Sequence, residues 1–165
     1  MTIAEMLQDV FGRVRDIVHD VVDGSTPEEL STRVGGSANS IAWLVWHLTR
    51  VQDDHVVGAV GAEQVWTSMG WAQRFALPFA VEDTGYGHGP DEVAAVKAGA
   101  ELLLGYHDAV CAGTLEIVGT LVDADLDRIV DEHWDPPVTM GVRLVSVIAD
   151  VLQHAGQAAF VRGIL

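Results

Sequence analysis

The sequence predicts an all-α protein, a bundle of four long helices. Three observations carry that expectation. Apolar residues recur at three- and four-residue spacing over four extended segments. No segment alternates apolar and polar residues as a half-buried strand does. Helix-start chemistry stands in front of several of the segments.

The first segment opens Thr2-Ile3-Ala4-Glu5, a capping box in which Thr2 and Glu5 satisfy each other's free backbone amides. Ile3, Met6, Leu7, Val10, Val14, Ile17, Val18, Val21 and Val22 then mark one apolar face, and Gly24 ends the helix. Thr26-Pro27-Glu28-Glu29 repeats the cap, with proline at the first helical position, for one short turn. Val34-Gly35-Gly36-Ser37 is punctuation, and Ser37 or Asn39 is expected to cap the second long helix. That helix reads Ile41-Ala42-Trp43-Leu44-Val45-Trp46-His47-Leu48 and continues through Val51, His55 and Val56. Apolar nearly all round, it is expected at the centre of the bundle. Ala62 to Phe75 reads as a less regular helix, and Leu77-Pro78-Phe79 and Gly85-Tyr86-Gly87-His88-Gly89 as loop.

Pro90-Asp91-Glu92 begins the third long segment, with Val93, Val96, Ala100, Leu103, Leu104, His107, Val110, Leu115 and Val118 expected inward. Gly99, Gly105, Gly113 and Gly119 each cost a helix about 1 kcal/mol relative to Ala. The period persists through them, and close contact between helices would use them. Asp123 to Pro137 is an acidic connection, and Thr139 starts a last helix through Leu144, Val147, Ile148, Val151, Leu152, Ala155, Ala158 and Val161.

A chain of 165 residues, nearly half of them apolar, suits a single folded domain over 1–165 and excludes a disordered one. Nine basic against 24 acidic residues give a formal charge of −15, which repels phosphate and opposes a nucleic-acid or anionic-membrane partner. Cys111 is the only cysteine, so there is no intrachain disulfide. Glu5 and Asp9 interrupt the N-terminus before any signal-like run, and the longest strictly apolar stretch is about seven residues, short of a membrane span. A soluble, cytoplasmic protein is expected.

Seven histidines are the chemistry to sort. Asp150 and His154 stand at i and i+4, one above the other on a helix face, close enough for one divalent metal to bridge. The same face carries Val147, Val151 and Ala158, so the pair looks toward the core. A plain Asp–His hydrogen bond on the helix surface is the competing reading. His47 lies among Leu44, Leu48 and Val51, where a lone histidine is commonly a core residue bonded to a carbonyl. A central helix can, however, present one ligand opposite a pair on another helix, and bundle cores are where such sites are built. Two imidazoles and a carboxylate leave open positions for water or substrate.

His107 and Cys111 form a second i, i+4 pair, with a buried structural cysteine as the alternative. His55 lies two turns beyond His47, roughly 12 Å along the axis, too far to share one ion. His88 and His133 are loop histidines that could close over a pocket, and His19 carries no signal. The five tryptophans are expected to line core and pocket.

Three tempting motifs fail. Asp123-Ala-Asp125-Leu-Asp127 imitates an EF-hand, but Arg128 replaces the required glycine and Trp134 the bidentate Glu. Gly85-Tyr-Gly87-His-Gly89 has no preceding strand and is not a phosphate cradle. No Ser or Cys sits in a nucleophile turn beside a His.

Two stretches, Asn39-Ser-Ile-Ala-Trp-Leu-Val-Trp-His47-Leu and Val138-Thr139 through Arg143 to Asp150-x-x-x-His154-Ala-Gly-Gln with Arg162 beyond, resemble the DinB-like superfamily of small metal-binding four-helix proteins. The resemblance implies an up-down-down-up bundle, a homodimer, and a divalent metal held by the second and fourth long helices. His47 matches the first histidine ligand and His154 the last. Position 150, histidine in many relatives, is Asp here, similar to the His/Glu/His triad of the mycothiol-dependent maleylpyruvate isomerases.

The resemblance implies zinc, with nickel or another first-row ion as alternatives, and mycothiol as a possible co-substrate. The expected activity is thiol S-transfer to a small electrophile. A non-catalytic metal-binding stress protein and a metal-dependent hydrolase on the same site are the other readings.

Overall fold

The computed structural model describes residues 1–165. It is all-α apart from one small ribbon. Eight helices follow in order: α1 (Ile3–Val22), α2 (Pro27–Ser31), α3 (Ile41–Gly58), α4 (Val65–Ser68), α5 (Trp71–Phe75), α6 (Pro90–Ala95), α7 (Ala100–Gly119) and α8 (Met140–Ile164). Short 3₁₀ turns stand at Val34–Gly36 and Asp123–Asp127, and β1 (Ile129–Asp131) pairs antiparallel with β2 (Val138–Thr139).

Local chemistry sets the starts. Thr2 with Glu5, and Thr26 with Glu29, form the expected capping boxes of α1 and α2, and Thr139 caps α8. The cap of α3 is Ser40 rather than Ser37 or Asn39: its hydroxyl accepts the Trp43 N–H at 3.2 Å. The residue next to the first helical position is the one whose oxygen reaches the free amides.

The long helices α1, α3, α7 and α8 enclose one core. Every residue of α3 from Ile41 to Asp53 is buried: the first half is apolar all round, and Thr49, Arg50, Gln52 and Asp53 are buried with hydrogen-bond partners. On α1 the buried stripe is Leu7, Phe11, Val14, Val18 and Val21, while Met6, expected inside, is exposed on the flank of that stripe. Leu152 of α8 likewise faces outward.

The third long segment is two helices. Between α6 and α7 the chain leaves helical geometry, and Gly99 serves as the N-cap of α7. Val93, Val96 and Leu103 are all buried, so the apolar period runs unbroken across the gap. Gly105 does allow close contact: a Cβ there would stand 2.8 Å from the ring of Trp71.

The helix expected over 62–75 is two short ones, α4 and α5, and a long-range contact explains the break. The buried Asp53 carboxylate accepts the N–H groups of Val65 (2.9 Å) and Trp66 (2.7 Å), starting α4 at that point. Tyr106 donates its hydroxyl to the same carboxylate at 3.0 Å. Arg50, also fully buried, lies 3.8 Å from Asp53 and donates to Gln64 and to the Asp83 carbonyl.

By length and composition α8 could also cross a membrane, although charged residues interrupt its apolar runs; 33% of its most apolar stretch is buried within this fold. Its buried residues, Leu144, Val147, Val151, Ala155, Ala158 and Val161, share one face against the core.

Candidate metal centre

The α3–α8 packing brings His47 opposite Asp150 and His154, with the two imidazoles in edge contact and centroids 4.6 Å apart. One ligand atom from each of the three residues lies within 4.8 Å of the others, and no other group of three His, Cys, Asp or Glu converges this way. His47 is buried; Asp150 and His154 are half-buried.

Hydrogen bonds orient both rings. His47 donates its Nδ1–H to the Thr84 carbonyl at 2.6 Å, and His154 donates its Nδ1–H to the Asp150 carbonyl at 2.9 Å. A carbonyl can only accept, so each ring carries its proton on Nδ1 and keeps the Nε2 lone pair free. Asp150 Oδ1 is buried, and its contact with His154 Nδ1 at 3.3 Å shares a proton already directed at the Asp150 carbonyl, so the oxygen is only weakly satisfied and keeps acceptor capacity to spare. Two free imidazole nitrogens and a weakly satisfied carboxylate oxygen therefore fit a first-row divalent cation.

The electrostatics agree. Burial lowers the His47 pKa, and nearby His154 lowers it further, so this ring favours the neutral form that can ligate. Burial works against the Asp150 carboxylate, but the hydrogen bond and charge of His154 outweigh it and hold the carboxyl below its usual range. Burial also opposes a charged His154, yet its bonds to Asp150 and the carboxylate's charge raise its pKa. A cation entering the pocket competes with that proton.

Residues 6–165 match the family model of the mycothiol-S-transferases. The chain belongs to the mycothiol-S-transferase family. A crystal structure of a conserved protein from Enterococcus faecalis is similar over 98% of this chain and 96% of that one, at 31% identity and a TM-score of 0.90. Among proteins with curated functions, none matches. The DinB-like, metal-binding character expected from His47 and the Asp150–His154 stretch is that of the mycothiol-S-transferase family.

The remaining histidines of this mycothiol-S-transferase family member sort by their partners. His107 is fully buried and donates Nδ1–H to Thr49 Oγ1 at 3.0 Å, because the Thr49 hydroxyl spends its own proton on the Val45 carbonyl. Cys111 is buried, and burial pushes its thiol pKa up, away from a reactive thiolate. His55 sits with Asp54 and Arg143, apart from the triad. His133 is held by Asp131 with its side chain 95% exposed, and His19 pairs with Asp108.

His88 is the one that loop context concealed. Its ring is buried, stacks near Trp46 and meets both Trp43 and Asp83. Trp46 and Phe79, which both pack on His88, also line an apolar cavity of about 190 Å³ with Trp66, Leu77 and Val81. Four tryptophans are buried as expected, while Trp134 is exposed.

Proposed function

We propose that this protein is a metal-dependent thiol S-transferase that joins a low-molecular-weight thiol of the mycothiol type to a small electrophile. The observation that carries the reading is the convergence of two free imidazole nitrogens and one weakly satisfied, buried carboxylate oxygen, in a chain of this family. His47, Asp150 and His154 would hold the cation, for which zinc suits a nitrogen-rich donor set and nickel is the nearest competitor.

A divalent cation held by these three residues would supply Lewis acidity, enough to favour the thiolate form of a thiol substrate at neutral pH. The chain's own residues do the rest. His47 and His154 present fixed Nε2 lone pairs, Asp150 offsets cationic charge, and Trp43, stacked on His47 and edge-on to His154, gives the site an apolar aromatic side that excludes water. In the net transfer the S–H bond breaks and a C–S bond forms, the electrophilic carbon releases its leaving group with the bonding electron pair, and the thiol proton passes to solvent.

Several finer points belong to the same reading. Contacts of His47 with His154 and His55 with Arg143 support antiparallel α3 and α8. Those of Thr49 with His107 and Gln52 with Thr114 support parallel α3 and α7, and hence an up-down-down-up bundle over 1–165. A thiol substrate suits a reducing compartment, so the cytoplasm is the proposed location. The −15 charge favours small molecules over nucleic acid as partners. A homodimer through the outer face of α8 completes the proposal: its exposed side chains, among them Val142, Val145, Leu152 and Phe160, carry no charge. Two strongly acidic copies can meet at low electrostatic cost only through such a surface.

The test combines metal analysis with thiol turnover. Purified protein should carry close to one divalent ion per chain, and His47→Ala or His154→Ala should each lose most of it while His19→Ala does not. Asp150→His should keep the ion. Thiol consumption with a simple electrophile should need the metal. Full occupancy in both histidine variants would remove the site; a bound ion with no thiol turnover would favour the storage or hydrolase readings.

A further inference from the structure

We propose that His88 is a positioning residue for His47: it latches the 83–89 loop onto α3, and the latched loop fixes the orientation and tautomer of that imidazole. The inference rests on the reading of His47 as a metal ligand and adds residues that reading did not need.

Both nitrogens of His88 are engaged. The Trp43 indole N–H donates to His88 Nδ1 at 3.1 Å, so the ring's own proton sits on Nε2, which lies 3.1 Å from each oxygen of the Asp83 carboxylate. Asp83 Oδ1 also accepts the Gly85 N–H at 2.8 Å. With no free lone pair, His88 is neither a further metal ligand nor a general base; what it does is tie the loop to α3.

The latch in turn touches His47 at three places, two on the loop and one on α3. Thr84 supplies the carbonyl that holds the Nδ1 proton at 2.6 Å. Gly85, at φ +93°, passes so close that a Cβ would stand 2.9 Å from His47 Nδ1 and 2.9 Å from the Trp46 ring. Trp43, whose N–H is the other end of the latch, stacks on the His47 ring with centroids 4.6 Å apart and planes within 14°. Release of the latch frees the carbonyl and the stacked ring together. His47 can then turn about its Cβ–Cγ bond or move its proton to Nε2, which blocks the lone pair a cation needs. Such outer partners of ligating histidines are typically worth about 10–100-fold in metal affinity.

Metal-free protein labelled with ¹⁵N-histidine provides the first measurement. Long-range ¹H–¹⁵N spectra at neutral pH should show His47 as the Nδ1–H tautomer in the wild type and as a mixture in His88→Ala and in Trp43→Phe, which keeps the stack but not the N–H. The second measurement is chelator competition with zinc and cobalt. Both variants should bind about 10–100-fold more weakly with unchanged helical content. His88→Asn, which keeps an acceptor for Trp43, should recover most of the loss. An unchanged His47 tautomer and unchanged affinity in both variants would overturn the proposal while leaving the metal site intact. A His47 tautomer that depends on His88 in a wild type binding neither ion would support the latch and remove the metal reading.

Discussion

His107 shows what a buried imidazole does to acid stability. It is fully buried, its Nε2 has no partner, and burial depresses its pKa from 6.5 to about 4. Between those values the unfolded chain binds a proton that the folded one refuses. The stabilisation is therefore complete above the unfolded pKa and is lost as pH falls through the folded one, up to about 3 kcal/mol. Urea unfolding of wild type should show a decline across that window that His107→Gln lacks; equal slopes in the two proteins would reject the assignment. His47, Asp150 and His154 were legible as residues because a histidine in an apolar run and an i, i+4 pair are local patterns. His88 was not, since its partner Trp43 lies 45 positions away and its loop has no periodicity.

Helix starts were legible for a similar reason. A capping box occupies four consecutive residues, so Thr2 and Thr26 could be read directly, and Thr139 stands as a simple cap beside the first apolar run of α8. The irregular stretch after α3 could not, because α4 begins where Asp53 on another helix accepts two of its amides. The gap before α7 was hidden by burial on both sides of it, and a ribbon of two- and three-residue strands is too short to alternate. Ser40 gives the element-scale test. It is buried, and its hydroxyl meets the first turn of the helix that carries His47. Ser40→Ala should cost roughly 1 kcal/mol in denaturant unfolding, and Ser37→Ala close to nothing. Equal losses would return the cap to Ser37.

At the scale of the whole molecule the outer face of α8 is the unusual surface. In a chain of charge −15, the three charged side chains of this helix are each paired: Arg143 with Asp131, Asp150 with His154, and Arg162 with Glu29. Its exposed apolar residues Val145, 67% exposed, and Phe160, 69% exposed, lie four turns apart, long enough for a contact of roughly 800 Å² per partner. Sedimentation should give a dimer for the wild type. Val145→Glu combined with Phe160→Glu should give a folded monomer that still binds metal. A monomeric wild type would dismiss the homodimer and leave the site untouched.

The stack of Trp43 on His47 has an optical consequence. An indole 4.6 Å from the imidazole proposed as a ligand lies well within the range at which a paramagnetic ion drains its excited state. Cobalt or nickel should dim the blue-shifted emission of the enclosed indoles and spare the red-shifted light of Trp134, which stands in solvent. Zinc, with a filled d shell, should do neither. The protein thus carries its own lamp for counting occupied sites, with Trp43 the indole nearest the triad residues and Trp134 the one left in solvent.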